Sequence, residues 1–219
     1  MCMDQVMKAA GTDLAVVCKM NMRDGLRRGI SLEEHSIPVA RRLQELGAHA
    51  IVLSGGLVSA SPMYVMRGEL PLQTMTHYMD KPWLKYGIRA GKPFVRKFMT
   101  PTVPYREAFF LEDALKFRTA LPDMKFIYVG GLVAGDKISE VLAHGFEAVQ
   151  MARSLLNEPD FLNRLRQDPH HRCGCRHSNY CIGRMYTADM ACHQHLNETL
   201  PDSLQREIER IEQEQNVNP

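Results

Sequence analysis

The chain has 219 residues, 45% of them hydrophobic and 24% charged, with a formal net charge of +2. That length is enough to bury a core and the composition is globular, so disordered and fibrous classes are excluded. The near-neutral balance argues against nucleic acid as a partner, and no apolar run approaches the roughly 18 residues that span a bilayer.

MCMDQVMKAAGTDLAVV (1–17) carries an early acid and no basic start. No signal peptide is read there, and the expected compartment is the cytoplasm. LAVVCKMN (14–21) is a continuous apolar run, as in a strand buried on both faces, with Cys18 expected as a small core residue. SLEEHSIPVARRLQELG (31–47) reads as a helix with a Ser31/Glu34 capping box, a possible later start near Ile37 because of Pro38, and a stop at Gly47. AHAIVLSGG (48–56) is a second strand ending on a glycine pair.

Residues 57–104 then break the rhythm as a long insertion. It carries Arg67, Lys81, Lys85, Arg89, Lys92, Arg96 and Lys97 against Glu69 and Asp80, interleaved with Tyr64, Tyr78, Trp83 and Tyr86. Such a segment is either a clasp or lid for an anionic dinucleotide or acyl-CoA, or a solvated basic loop. Residues 105–121 have helical spacing, KFIYVGG (125–131) is a third strand, 136–145 a helix closed by Gly145, and EAVQMA (147–152) a fourth strand. Residues 153–168 are helical with a turn at Pro159, and the tail SLQREIERIEQEQ (203–215) reads as a solvated helix.

Apolar strands alternating with helices indicate parallel βα units covered by helices. No G-x-G-x-x-G follows the first strand, as a doubly wound dinucleotide fold would require. A (β/α)8 barrel instead places its phosphate site after the last two strands, where this chain has Gly130-Gly131 and Ala152-Arg153. Two regions are expected: residues 1–168 as a partial barrel with its insertion, and residues 169–219 as a Cys/His-rich loop and charged helix.

VVCKMN, IVLSGG, YVGGL and VQMARSLLNEPDF with its cysteine-rich sequel occur in one order between Leu14 and about His195. In that combination the chain resembles the C-terminal half of the Old Yellow Enzyme (NADH:flavin oxidoreductase) family, particularly its larger members related to 2,4-dienoyl-CoA reductase. The resemblance implies an FMN-binding (β/α)8 barrel, of which about four C-terminal βα units are visible here. Its implied activity is that of an ene-reductase, passing hydride from NADH or NADPH through FMN to an unsaturated small molecule. It also implies roles for particular residues. Lys19 matches the cation beside flavin N1, where reduction builds negative charge. Gly130 and Gly131 match the turn whose amides meet the FMN phosphate, and Ala152 and Arg153 the eighth-strand end that completes the grip.

In iron–sulfur relatives the following loop supplies four thiolates to a [4Fe–4S] cluster. Cys175, Cys181 and Cys192 fall where three would lie, Ser178 stands where another is expected, and Cys173 is an extra cysteine upstream. His177, His193 and His195 leave zinc open, and free thiols are the plain alternative. Most of the family's isoalloxazine contacts, its substrate-holding His/Asn or His/His pair and its proton-donating tyrosine belong to four strands absent from this chain; Tyr64 has no assigned role. Three readings therefore stay open: a partial flavin oxidoreductase, a barrel completed by self-association or a partner chain, or a non-catalytic scaffold.

Overall fold

The computed structural model describes residues 2–185 and 188–216. Four strands, β1 (Val17–Asn21), β2 (Ala50–Ser54), β3 (Phe126–Val129) and β4 (Ala148–Gln150), lie in that order, each parallel to the next. Helix α1 (Cys2–Ala10) precedes them, and α2 (Ile37–Glu45) joins β1 to β2. Between β2 and β3 run α3 (Pro62–Met66), α4 (Leu72–His77), α5 (Pro82–Ala90), α6 (Lys92–Phe94) and α7 (Leu111–Ala120). Helix α8 (Gly135–Ala143) joins β3 to β4, followed by α9 (Arg153–Asn157), α10 (Phe161–Gln167), α11 (Tyr180–Arg184) and α12 (Asp202–Asn216). A sequential parallel order has no point of reversal, so the crevice used by doubly wound sheets does not arise.

The helix over 31–47 forms by a different device from the one its sequence suggests. Ser31 makes no side-chain cap; instead its N–H donates to His35 Nδ1 at 3.2 Å. Leu32–Ser36 winds as one wide turn before Ile37, because Pro38 brings no N–H and its ring crowds the carbonyl four residues earlier. The stop at Gly47 holds: with φ +89 its N–H reaches Gln44 O, and Ala48 N–H reaches Leu43 O.

β2 is buried along its whole length, as expected of a strand covered on both sides, but β1, β3 and β4 bury one face only, which corrects that expectation for them. Ile51, Leu53, Phe126 and Tyr128 are fully buried in one cluster with Ala40 of α2, Phe117 of α7 and Val141 of α8. The opposite face carries Val17, Lys19 and Gln150, all exposed, beside half-buried Ile127 and Val129. The helices cover one side only. Lys19 Nζ on β1 nevertheless donates to Gln150 Oε1 on β4 at 3.2 Å. Those strands are three spacings of about 4.8 Å apart, so the sheet curls with this open face concave.

The tail is not a solvated helix. Leu204, Ile208 and Ile211 of α12 are buried, and Glu207 reaches the first turn of α4, accepting from Gln73 N–H and Thr74 N–H, both at 2.9 Å. Two of the insertion's cations, Lys92 and Arg96, point inward toward this helix. Lys92 lies 3.7 Å from Glu207, Arg96 closes on Glu69, and Arg210 holds Glu69 through both of its terminal nitrogens. Trp83, Tyr86, Phe94 and Phe98 face outward instead. Arg89 donates from Nε to Thr76 Oγ1 at 3.0 Å, so Arg89, Lys92 and Arg96 are committed within the protein, while Lys81 and Lys97 are exposed.

Candidate functional site

Where the sequence suggests one helix over 105–121, α7 starts only at Leu111. Residues 105–110 form an irregular turn, with Ala108 at φ +55, that lays Tyr105, Glu107, Phe109 and Phe110 against the end of β3. Glu107 Oε1 accepts from Val133 and Ala134 N–H at 2.9 Å each, and Tyr105 Oη donates to Gly131 O at 2.7 Å. The β3 turn is thus held from outside by its preceding segment.

All five residues singled out for an anionic cofactor meet here. Lys19, Gly130, Gly131, Ala152 and Arg153 line one cleft of about 230 Å³ at the C-terminal ends of the strands, together with Gln150 and His177. Among the described residues no group accepts a hydrogen bond from the N–H of Gly131 or Leu132. Arg153 donates from Nη1 to Asn179 Oδ1 at 2.7 Å, which fixes one edge of the guanidinium and leaves its other donors uncommitted. Positive charge and open main-chain donors at one strand end suit an anion.

The glycines have a second reason beyond close approach. A Cβ on Gly131, at φ +67, would lie 2.7 Å from the Phe109 ring, and one on Gly130 would lie 2.8 Å from Tyr128 Oη. Aromatic packing occupies that space. Gly131→Ala is expected to cost about 2–4 kcal/mol of stability, from the left-handed backbone and the displaced ring, measured by urea unfolding.

The cysteines sort differently. Cys175, Cys181 and Cys192 line a separate cavity of about 20 Å³ with Arg153, His177 and His193. Cys173 packs into the main core instead, so it does not replace the ligand lost at Ser178. His193 pairs with Glu212 at 3.1 Å and His195 bonds the Asn157 carbonyl, so both are engaged elsewhere. Among the described residues no group of three or more His, Cys, Asp or Glu is arranged to hold a metal. A cavity of that size admits one water. With a fourth thiolate missing, the residues present do not fit a [4Fe–4S] cluster, and the structure gives no support to zinc.

Burial pushes the Cys181 and Cys173 thiols up to about 11. Both are protonated in the native protein near neutrality. A thiol raised in the folded state stabilises it below the unfolded value of about 9, and that contribution is lost as pH climbs toward 11. Urea unfolding between pH 8 and about 11 is expected to show this decline, reduced in a Cys173→Ala/Cys181→Ala variant.

Sequence reasoning named His177 only as a zinc candidate and missed Asn179 altogether. His177 stacks on Tyr105 with ring centroids 3.6 Å apart, and burial first, then the Arg153 charge, lowers it to about 2. Asn179, in a left-handed conformation, ties Arg153 to the insertion by donating to Arg67 O at 2.7 Å and Glu69 O at 3.1 Å. The local signal was the run His177-Ser178-Asn179 inside the cysteine loop, whose backbone geometry leaves no periodic mark.

No helix among the described residues is long and apolar enough to cross a membrane. No protein-family model matches the chain. It is 37% identical over 185 residues to a protein from Rhodococcus erythropolis named 4,4'-dithiodibutanoate disulfide reductase, across 84% of this chain and 44% of that relative. The chain thus spans less than half the length of the curated relative it matches. In fold it resembles a 2-naphthoyl-CoA reductase solved with 2-naphthoyl-CoA, with a TM-score of 0.58 and 14% identity, covering 87% of this chain and 24% of that one. The chain is therefore similar in sequence to one oxidoreductase and in fold to another.

Proposed function

We propose that this chain forms the phosphate-binding arc of an FMN-dependent (β/α)8 oxidoreductase that takes hydride from NADH or NADPH. The observation that carries this reading is the convergence of Lys19, Gly130, Gly131, Ala152 and Arg153, from three separate strand ends, on one cleft. The similarity to a disulfide reductase supports the redox class.

The residues present fit the cofactor. The amides of Gly131 and Leu132 and the free edge of Arg153 receive the phosphate. Asn179 fixes the guanidinium so that it need not reorganise when the anion arrives. Gln150 holds Lys19 over the concave face, where its charge stabilises an anionic ring edge. FMN, when bound, supplies a two-electron store between the nicotinamide and the acceptor.

The acceptor is an electrophilic small molecule: an activated alkene by the family resemblance, or a disulfide by the relative's name. Disulfide reduction consumes two electrons and two protons, breaks the S–S bond and releases two thiols. The open concave face and the free edges of β1 and β4 call for further βα units, from another segment, a partner chain or a second copy. Absorbance of the purified chain tests the cofactor: flavin bands are expected, with NADH-dependent loss of 4,4'-dithiodibutanoate or of an enone. A colourless protein that takes up no added FMN sinks the reading.

A further inference from the structure

Helices α5 and α6 and the wide turn Val95–Met99 run as one almost continuous helix from Pro82 to Met99. The Gly91 N–H donates to Gly87 O at 3.0 Å and the Val95 N–H to Gly91 O at 2.9 Å, which carries the winding across the join. A surface helix ordinarily turns its apolar stripe to the core and its charges to water. Here much of that order is reversed. Lys85, Arg89, Lys92 and Arg96 turn in, onto oxygens of His77, Thr76, Glu207 and Glu69. Trp83, Tyr86, Ala90, Phe94 and Phe98 turn out, and their spacing of three or four residues sets them in one row. The four aromatics are 72%, 67%, 60% and 64% exposed, in a row about 22 Å long at a rise of about 1.5 Å per residue.

An exposed apolar row of this size marks a contact surface, and its charges select the occupant. Residues 81–99 contain no Asp or Glu, and Lys81 and Lys97 stand exposed at the two ends of the row. The complement is therefore apolar where the rings enter and negative around them. A second copy does not meet that description. Two such rows aligned along their length, either way round, would set lysine against lysine. Nor does the face cup a ligand, since side chains this exposed protrude. Protruding aromatics flanked by lysines suit a lipid layer, with the rings at headgroup depth and the ammonium groups reaching up to phosphates.

We infer that the outer face of this helix docks the protein on an anionic phospholipid surface. Trp83, Tyr86, Phe94 and Phe98 enter the interface, and Lys81 and Lys97 pair with lipid phosphates. The helix lies in the plane of the surface and does not cross it. The inference stands apart from the flavin reading and uses none of its residues.

Trp83 is the chain's single tryptophan, so its emission reports the contact directly. The test titrates the full chain with vesicles of phosphatidylcholine and with vesicles of phosphatidylcholine mixed with phosphatidylglycerol. Trp83 emission is expected to move to shorter wavelength on the mixed vesicles, with binding at least about tenfold tighter than to the neutral ones and weakened by salt. Phe94→Ser/Phe98→Ser is expected to lose at least about tenfold on the mixed vesicles while its urea midpoint holds. Lys81→Gln/Lys97→Gln is expected to bring the mixed vesicles down toward the neutral level, and decides the matter if the serine variant does not fold. Unmoved Trp83 emission, equal binding to both vesicles, or a folded serine variant that binds like the wild type would overturn the inference. So would a dimer in sedimentation equilibrium that the serine variant dissolves, since the row would then belong to a second copy.

Discussion

Arg153→Ala is expected to weaken FMN binding roughly 10- to 100-fold. A charge-assisted hydrogen bond contributes about 1.5–3 kcal/mol, and each 1.4 kcal/mol is a factor of ten. The side chain is already anchored on Asn179 at 2.7 Å, so little ordering cost offsets the gain on binding. Arg153→Lys keeps a charge but loses the fork that reaches Asn179 and the anion together, and a smaller loss is expected. Fluorescence quenching of FMN reads both. Because the Arg153 charge also faces His177, Cys175 and Cys181, the alanine variant is expected to leave their cavity less polar without unfolding the sheet.

Glu207→Ala is expected to be the most destabilising single change outside the main core, by about 3–5 kcal/mol. The carboxylate is buried and accepts from two α4 amides and from Thr74 Oγ1. Removing it opens the start of α4 and strips Lys92, 24% exposed, of its counter-charge. Glu207→Gln retains acceptor capacity and is expected to lose about half as much. Urea unfolding gives the energies. Limited trypsin digestion is expected to cut at Lys92 or Arg96 in the alanine variant first, since the tail helix is what covers them.

The strands were legible because each is a short apolar run, two of them closed by a glycine pair, and that pattern does not depend on neighbours. The five cofactor candidates came together because strand ends in a parallel sheet share one side, whatever the loops do. The open concave face was not legible: residues such as Ile127 and Val129 are as apolar as those on the buried face, and only the one-sided placement of helices separates them. The inward turn of Lys92 and Arg96 was hidden as well, since their acids lie on α12 or far along the insertion. Asn179 and Arg67 owe their positions to left-handed backbone at non-glycine residues, which composition does not announce. The cysteine spacing suggested a shared metal site, yet Cys173 follows the core while the other three follow the loop.

Comparing FMN with riboflavin, which lacks only the phosphate, reaches the account's centre most directly when read by amide NMR shifts of the full chain. FMN is expected to bind tens of times more tightly than riboflavin, roughly as several charge-assisted bonds require, and to move the Gly131 and Leu132 amides. Equal affinities, with those two amides unmoved by FMN, would contradict it.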